Sequence, residues 1–255
     1  MAKGGFTGAV PPRETSPEEY RGVWDITEQY GEQKAGSWPF QADDNAPKSL
    51  RFNSTDSAYL SRTPAAAGNR KTWTCNFWTK YNPTGSTKQT IIQARTSSNA
   101  DDTGIGFEND KIRVVTGTVD AFVSSAQFRD PAAFYNFHVI FDTTDSVGAD
   151  RVQVWCNGIR LEAGSYTDPG QNSTWSLNNT VAHNIGRHAG ASSQYLDSLL
   201  SEVHFIDGQS LSCEEFGFFD GQGIWQPKRF TGDYSSGPVY SNAVPTADGF
   251  RPNRI

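Results

Sequence analysis

From Ser49 to about Asp207 apolar and polar residues alternate with a period of two, and this constrains the fold more than anything else in the chain. Successive side chains leave a strand on opposite faces, so the pattern fits half-buried strands and not helices. In residues 71–80, Trp73, Cys75 and Phe77 share one face, while Thr74, Asn76 and Trp78 share the other. Tyr135, Phe137, Val139 and Phe141 alternate with Asn136, His138, Ile140 and Asp142, and residues 151–156 alternate again. Asn157-Gly158 follows, a dipeptide that tolerates the positive φ angles of a tight hairpin turn. Ala58-Tyr59-Leu60, Gly104-Ile105-Gly106-Phe107, residues 111–115 and residues 201–206 read as further strands. The composition agrees: aromatics make up 13%, against a single Met, with 24 Gly and 13 Pro to supply turns. Many short antiparallel strands without a propeller or solenoid repeat predict an all-β sandwich or barrel. Strand parity places Cys75, Phe77, Val139, Phe141, Val154, Cys156, Val203 and Phe205 in its core.

Both ends of the chain differ from this middle. Residues 1–48 are rich in Gly, Pro and charge and carry one helical signal. Ser16-Pro17-Glu18-Glu19 is a capping box with proline at the first helical position, and Gly36 follows as a stop. Between them Tyr20, Val23, Trp24, Thr27 and Tyr30 recur at helical spacing. A helix this short, weakened by Gly22 and Gly31, needs a surface to dock on. That surface is either the chain's own domain or another subunit. A short helical turn after Asp207-Gly208 is capped by Ser212 with Glu215 three residues on. Residues 219–255 are polar and irregular, with Pro227, Pro238, Pro245 and Pro252, and read as an extended arm packed on the domain or on a neighbour. The expected division is a docking segment over 1–48, a sandwich over 49–218 and the arm over 219–255.

Charge and chemistry exclude several classes. A net charge of −6 with pI near 5.2 disfavours nucleic acid as partner. No apolar run reaches the ~20 residues of a membrane span. The opening residues have no apolar h-region, so no secretory leader is expected. Cys75, Cys156 and Cys213 lie far apart and odd in number, which reads as three buried thiols. The sequons at Asn53, Asn172 and Asn178 then read as turn residues. No G-x-S-x-G, H-E-x-x-H, phosphate-binding or dinucleotide motif is present. A retaining glycosidase needs two carboxyls ~5–5.5 Å apart, hence i, i+2 on one strand. Asp197, Glu202 and Asp207 are spaced by five, and Asp43-Asp44, Asp101-Asp102 and Glu214-Glu215 are adjacent, so none forms such a pair on one strand. His183 and His188 flank a turn-like stretch without an obvious third ligand and read as polar strand-end or loop residues.

Several stretches resemble one family. Residues 49–52 with 59–62, 73–80, 137–144 and 152–158 resemble the concanavalin A-like and laminin-G-like sandwiches. Residues 179–186 and 195–209, with Phe216-Gly217 and Trp225-Gln226-Pro227-Lys228, are similar to the version of that domain found in tailed-phage virion proteins. The resemblance covers residues 49–234, and 201–209 is its most specific part. Residues 22–39 resemble segments of such proteins more weakly. The resemblance implies an antiparallel jelly-roll sandwich with a short N-terminal helical segment and an extended C-terminal arm.

It also implies a non-enzymatic virion surface protein, of tail-fibre or head-decoration type, that displays a glycan-binding sandwich for host attachment. A stand-alone lectin-like module and a polysaccharide hydrolase are the alternatives. Expected partners are other virion proteins and host surface polysaccharide, and a homo-oligomer such as a trimer is compatible with that role. Tyr20, Trp24, Tyr30 and Trp38 are the candidate assembly contacts. Trp78 and Trp155 stand opposite their inward neighbours and are the candidate binding residues. They either stack on a sugar or partner, or lie under the appended segments. No cofactor is expected. Calcium is the one ion the resemblance admits, with Asp101 and Asp102 in a rim loop as weak candidate ligands.

Overall fold

The computed structural model describes residues 48–190 and 194–232 and the backbone of Arg251–Pro252. Two antiparallel sheets face each other across one core. The first sheet runs β1 (Leu50–Phe52), β13 (Ser198–Asp207), β3 (Thr72–Tyr81), β8 (Tyr135–Asp142), β9 (Val152–Cys156), β10 (Ile159–Arg160). The second runs β11 (Ala163–Tyr166), β7 (Val119–Ser124), β6 (Lys111–Thr116), β5 (Thr103–Glu108), β4 (Gln89–Ala94), β12 (His183–Ile185), β2 (Leu60–Arg62), β16 (Arg251–Pro252). This is the all-β antiparallel sandwich that the sequence led us to expect. The helical segment expected in residues 1–48 lies outside the described residues, as do Tyr20, Trp24, Tyr30 and Trp38.

Strand parity sets the core. Trp73, Cys75, Phe77 and Tyr81 point inward from β3, opposite Phe137, Val139 and Phe141 of β8 and Val152 and Val154 of β9. Trp73 stacks on Phe141 with centroids 4.8 Å apart, and Tyr81 reaches Phe107 of the facing sheet at 4.1 Å. Burial of each such side chain contributes roughly 1.5–3 kcal/mol. Val203 and Phe205 join this core, and Cys156 is half-buried against it. The expected turn at Asn157-Gly158 forms, with φ of 49° and 75°, and Asn109-Asp110 makes a second one between β5 and β6. Asn53 caps a short 3-10 turn, and Asn172 and Asn178 take positive φ, as turn residues do.

Two features differ from the sequence reading, the bulge and the boundary, and a third settles an alternative that it left open. The register of β13 slips between Ser201 and His204, where Glu202 adopts a φ of 46°. This β-bulge adds one residue, so Leu200 and the pair Val203 and Phe205 all face inward although strict alternation would not allow it. Next, the outer face of the first sheet is covered. A 3-10 turn (Cys213–Glu215), capped by Ser212 Oγ on Glu214 N at 3.3 Å, leads into the hairpin β14 (Gly217–Phe219) and β15 (Trp225–Pro227). Ile206, Phe216 and Phe230 form a second small core under this segment. Finally, the boundary expected after residue 218 falls inside β14. The packed unit extends to Phe230, so the start of the expected arm packs on its own domain, one of the two places the sequence allowed for it.

Candidate functional site

Trp78 and Trp155 do point away from the core, but they do not make an open platform. Both are half-buried. Between them, on the same sheet face, Asn76 and Asn136 exchange side-chain hydrogen bonds at 3.1 and 3.3 Å. His138 donates from Nε2 to Leu211 O at 2.9 Å and accepts at Nδ1 from Asn76 Nδ2 at 3.4 Å. Trp225 Nε1 donates to Asn136 Oδ1 at 3.0 Å and closes the network from above. Trp155 packs edge-on against His138 with centroids 5.3 Å apart. Burial pushes the His138 pKa down to about 4, so the ring is neutral. The part of this face around Asn136 and His138 is thus occupied by Leu211 and Trp225 of the chain's own residues 211–230.

The other sheet carries a groove of about 340 Å³ on the outer face of β4, β5 and β6, open among the described residues. Its floor is Gly104 and Gly106. In β5, Ile105 and Phe107 point into the core, so the two glycines fall on the outer face and contribute no side chain. Their bareness is also required by packing: a Cβ on Gly106 would lie 2.3 Å from Gln89 O, and one on Gly104 3.0 Å from Ile92 O. Thr90 and Gln93 of β4 form one wall, and Arg113 and Val115 of β6 the other.

At one end Asp102, Gln93 and His188 converge from three places in the sequence. Asp102 is fixed by the 3-10 turn Asn99–Asp101, whose start is capped by Ser98 Oγ accepting from Ala100 N at 3.1 Å. Gln93 Nε2 donates to Asp102 Oδ1 at 2.6 Å, and His188 Nε2 donates to Asp102 Oδ2 at 2.7 Å. Gln93 Oε1 in turn accepts from Ala189 N at 3.0 Å, and His188 Nδ1 accepts from Gly190 N at 3.0 Å. Both ring nitrogens of His188 are therefore engaged, which leaves no lone pair for a general base. At the other end Arg113 bridges two acids, with Nε 2.7 Å from Asp120 Oδ1 and Nη1 2.7 Å from Glu108 Oε2. Lys88 lies 3.4 Å from the same Glu108. The groove is a rigid surface of amide, carboxylate, imidazole and guanidinium groups over a bare backbone floor. That suits hydrogen bonding to a hydroxyl-rich ligand.

The calcium expectation fits poorly. Both oxygens of Asp102 accept from N–H donors, and Asp101 Oδ1 turns back to Thr96 N at 3.3 Å. Calcium takes six to eight oxygens, and no group of three or more His, Cys, Asp or Glu that could hold a metal occurs among the described residues. The histidines are not a zinc pair either. His183 accepts from Asn178 N at 2.9 Å and is held below its usual range, at about 4, chiefly by burial.

The carboxylates spaced by five are not brought together. Asp197 accepts from Asn82 Nδ2 at 2.7 Å, Glu202 lies at the bulge 3.2 Å from His204 Nε2, and Asp207 is buried against Asn69 N at 2.7 Å. All three cysteines are free thiols; burial pushes Cys75 and Cys156 up to about 12 and makes them unreactive at neutral pH. A second cleft of about 340 Å³ opens at the sandwich edge, with Phe122, Val152, Leu161 and Tyr166 among its lining, but it lacks a comparable convergence of polar groups.

Gln93, Arg113 and His188 were not singled out as binding residues by sequence. The one signal was Gly104-Ile105-Gly106, since glycine inside a strand marks close approach of a backbone or a ligand.

No protein-family model matches the chain, and no curated protein matches it. Among solved structures, the heptameric SAP-like pentraxin of Limulus polyphemus is similar over 82% of this chain and 92% of its own, at 13% identity and a TM-score of 0.46. A Trypanosoma rangeli sialidase in complex with 2,3-difluorosialic acid is similar over 56% of this chain, at 15% identity and a TM-score of 0.40. This chain spans only 21% of that enzyme. The K499G mutant of NanB sialidase from Streptococcus pneumoniae aligns over 67% of this chain and 28% of its own, at 15% identity and a TM-score of 0.44. None of these likenesses carries an argument about function, which rests on the chain's own groove.

Proposed function

We propose that this chain is a non-enzymatic virion surface protein whose sandwich binds glycan in the groove over Gly104 and Gly106. The observation that carries the binding reading is the groove itself: a bare backbone floor beside a pre-paired Gln93, Asp102 and His188. Such side chains are already held in place, so little conformational entropy is lost when sugar hydroxyls replace water. The non-enzymatic reading is supported by the carboxylates of the groove: Asp102 is saturated by Gln93 and His188, and Glu108 and Asp120 are tied to Arg113. The virion role is supported by the sequence resemblance over residues 49–234 and by the aromatic residues of the N-terminal segment.

The binding reading is tested on a glycan array with the full chain and with Val115→Trp, which fills the groove from β6. The variant should fold and lose at least tenfold in glycan affinity. Equal binding by both proteins would place the site elsewhere. The virion reading is tested by labelling intact particles with antibody to the chain, and label that never sedimented with particles would overturn it.

A further inference from the structure

The charges that line the groove are not equivalent. Lys88 and Arg113 face Glu108 and Asp120, so these four groups neutralise one another. Asp102 has both oxygens engaged by Gln93 and His188. Arg95 is different. It follows the end of β4, lines the groove, and has no carboxylate partner among the described residues.

Its guanidinium is nevertheless held. Nε donates to Thr96 O at 3.1 Å and Nη2 donates to Ser97 O at 3.1 Å. Nη1 lies over Gly190, 1.6 Å from where a Cβ would stand, so the bare glycine leaves room for the guanidinium in this position. The same Gly190 donates its N–H to His188 Nδ1, which ties the position of Arg95 to the Asp102 end of the groove. An arginine has five N–H donors, and among the described residues the two backbone carbonyls leave the Nη1 side of the fork without an acceptor. Arginine binds carboxylates and sulfates in pairs of parallel hydrogen bonds. Holding a long side chain still costs entropy, and here it leaves a positive charge uncompensated beside a groove in a chain of net charge −6.

We propose that Arg95 is the anion-recognition residue of the groove and that its ligand is an acidic saccharide, the carboxylate or sulfate of which pairs with the Arg95 fork. This rests on the glycan-binding reading of the same groove. The hydroxyls of the sugar would meet Gln93 and the glycine floor while the acidic group lies toward Arg95.

The test uses the full chain and three probes: an oligogalacturonate, the same oligosaccharide with its carboxyls reduced to alcohols, and a sulfated dextran oligomer. These are offered beside a panel of neutral glycans, at 50 and 500 mM salt. The expected result is that one acidic probe binds at least tenfold more tightly than any neutral one. It should weaken with salt, and Arg95→Gln should abolish the preference while leaving thermal stability unchanged. Preference for the uronate or for the sulfate identifies which acidic group is read.

Arg95→Lys, which keeps the charge and loses the fork, should retain part of the preference. If neutral glycans bind as well as acidic ones, and Arg95→Gln changes neither, the acidic-ligand proposal fails while the groove reading stands. If no glycan binds, or binding survives Val115→Trp, the groove reading fails with it.

Discussion

His138 and His183 make the pH dependence of this fold an outcome of two buried rings. Each has its pKa lowered from 6.5 to about 4, chiefly by burial. In both cases the folded state binds a proton less readily than the unfolded chain, so the stabilisation is complete above pH 6.5 and is lost as pH falls toward 4. A shift of this size corresponds to roughly 3 kcal/mol per histidine at 1.36 kcal/mol per unit. Denaturant titrations at pH 7.5, 5.5 and 4.0 should show stability falling mainly across that window. His138→Gln should lower stability at pH 7.5 and flatten the slope by about half. An unchanged slope would mean that the ring is not the neutral, buried group described above.

At the scale of the element, the bare floor of β5 is constrained by packing as well as by a ligand. Gly106→Ala would bring a Cβ to 2.3 Å from a backbone oxygen, which cannot move like the end of a flexible side chain. We expect a loss of about 1–3 kcal/mol, or several degrees in melting temperature. Gly221→Ala, where no atom lies within 4 Å, serves as a control and should be nearly neutral. Calorimetry on the two variants separates the cases, and equal melting temperatures would contradict the tight β4–β5 contact.

The hairpin β14–β15 offers a second test at this scale. Trp225 is buried, donates to Asn136 and packs edge-on against Phe219 at 4.9 Å. Trp225→Ala should cost about 3–5 kcal/mol and expose residues 208–217 to protease before the sandwich opens. Protection equal to wild type would show that the hairpin is held by other contacts.

For the whole molecule, the packed unit among the described residues includes Lys48, whose carbonyl accepts from Ser201 Oγ at 2.6 Å, and runs through Phe230. Residues 1–40 lie before it and carry Tyr20, Trp24, Tyr30 and Trp38. Exposed together, these aromatics would make an apolar patch that soluble monomers avoid, and buried ones are frequent interface anchors. Deleting residues 1–40 should leave the melting temperature nearly unchanged and remove the protein from particles. A large drop in melting temperature with incorporation intact would instead make the segment a cover for its own sandwich. Incubation with host polysaccharide should release no new reducing ends; steady release would overturn the non-enzymatic reading.

Period-two alternation is a local property, and so the sequence alone determined the strands, the turn at Asn157-Gly158 and most of the inward set from Trp73 to Phe205. It also limited the chemistry by what it lacks in motifs and paired acids. It did not reveal the bulge at Glu202, because an inserted residue changes parity without changing composition. A cover over Trp78 and Trp155 was one of the two alternatives that the sequence left open. Whether an outward tryptophan meets water or a hairpin depends on where residues 211–230 return, and that is settled by packing. The candidate site was least legible of all. Gln93, Asp102 and His188 become neighbours only when β4, the turn before β5 and the loop after β12 meet at one end of the second sheet. The groove between them exists because antiparallel register sets two glycines side by side with residues far away in sequence, so only the tertiary structure decided it.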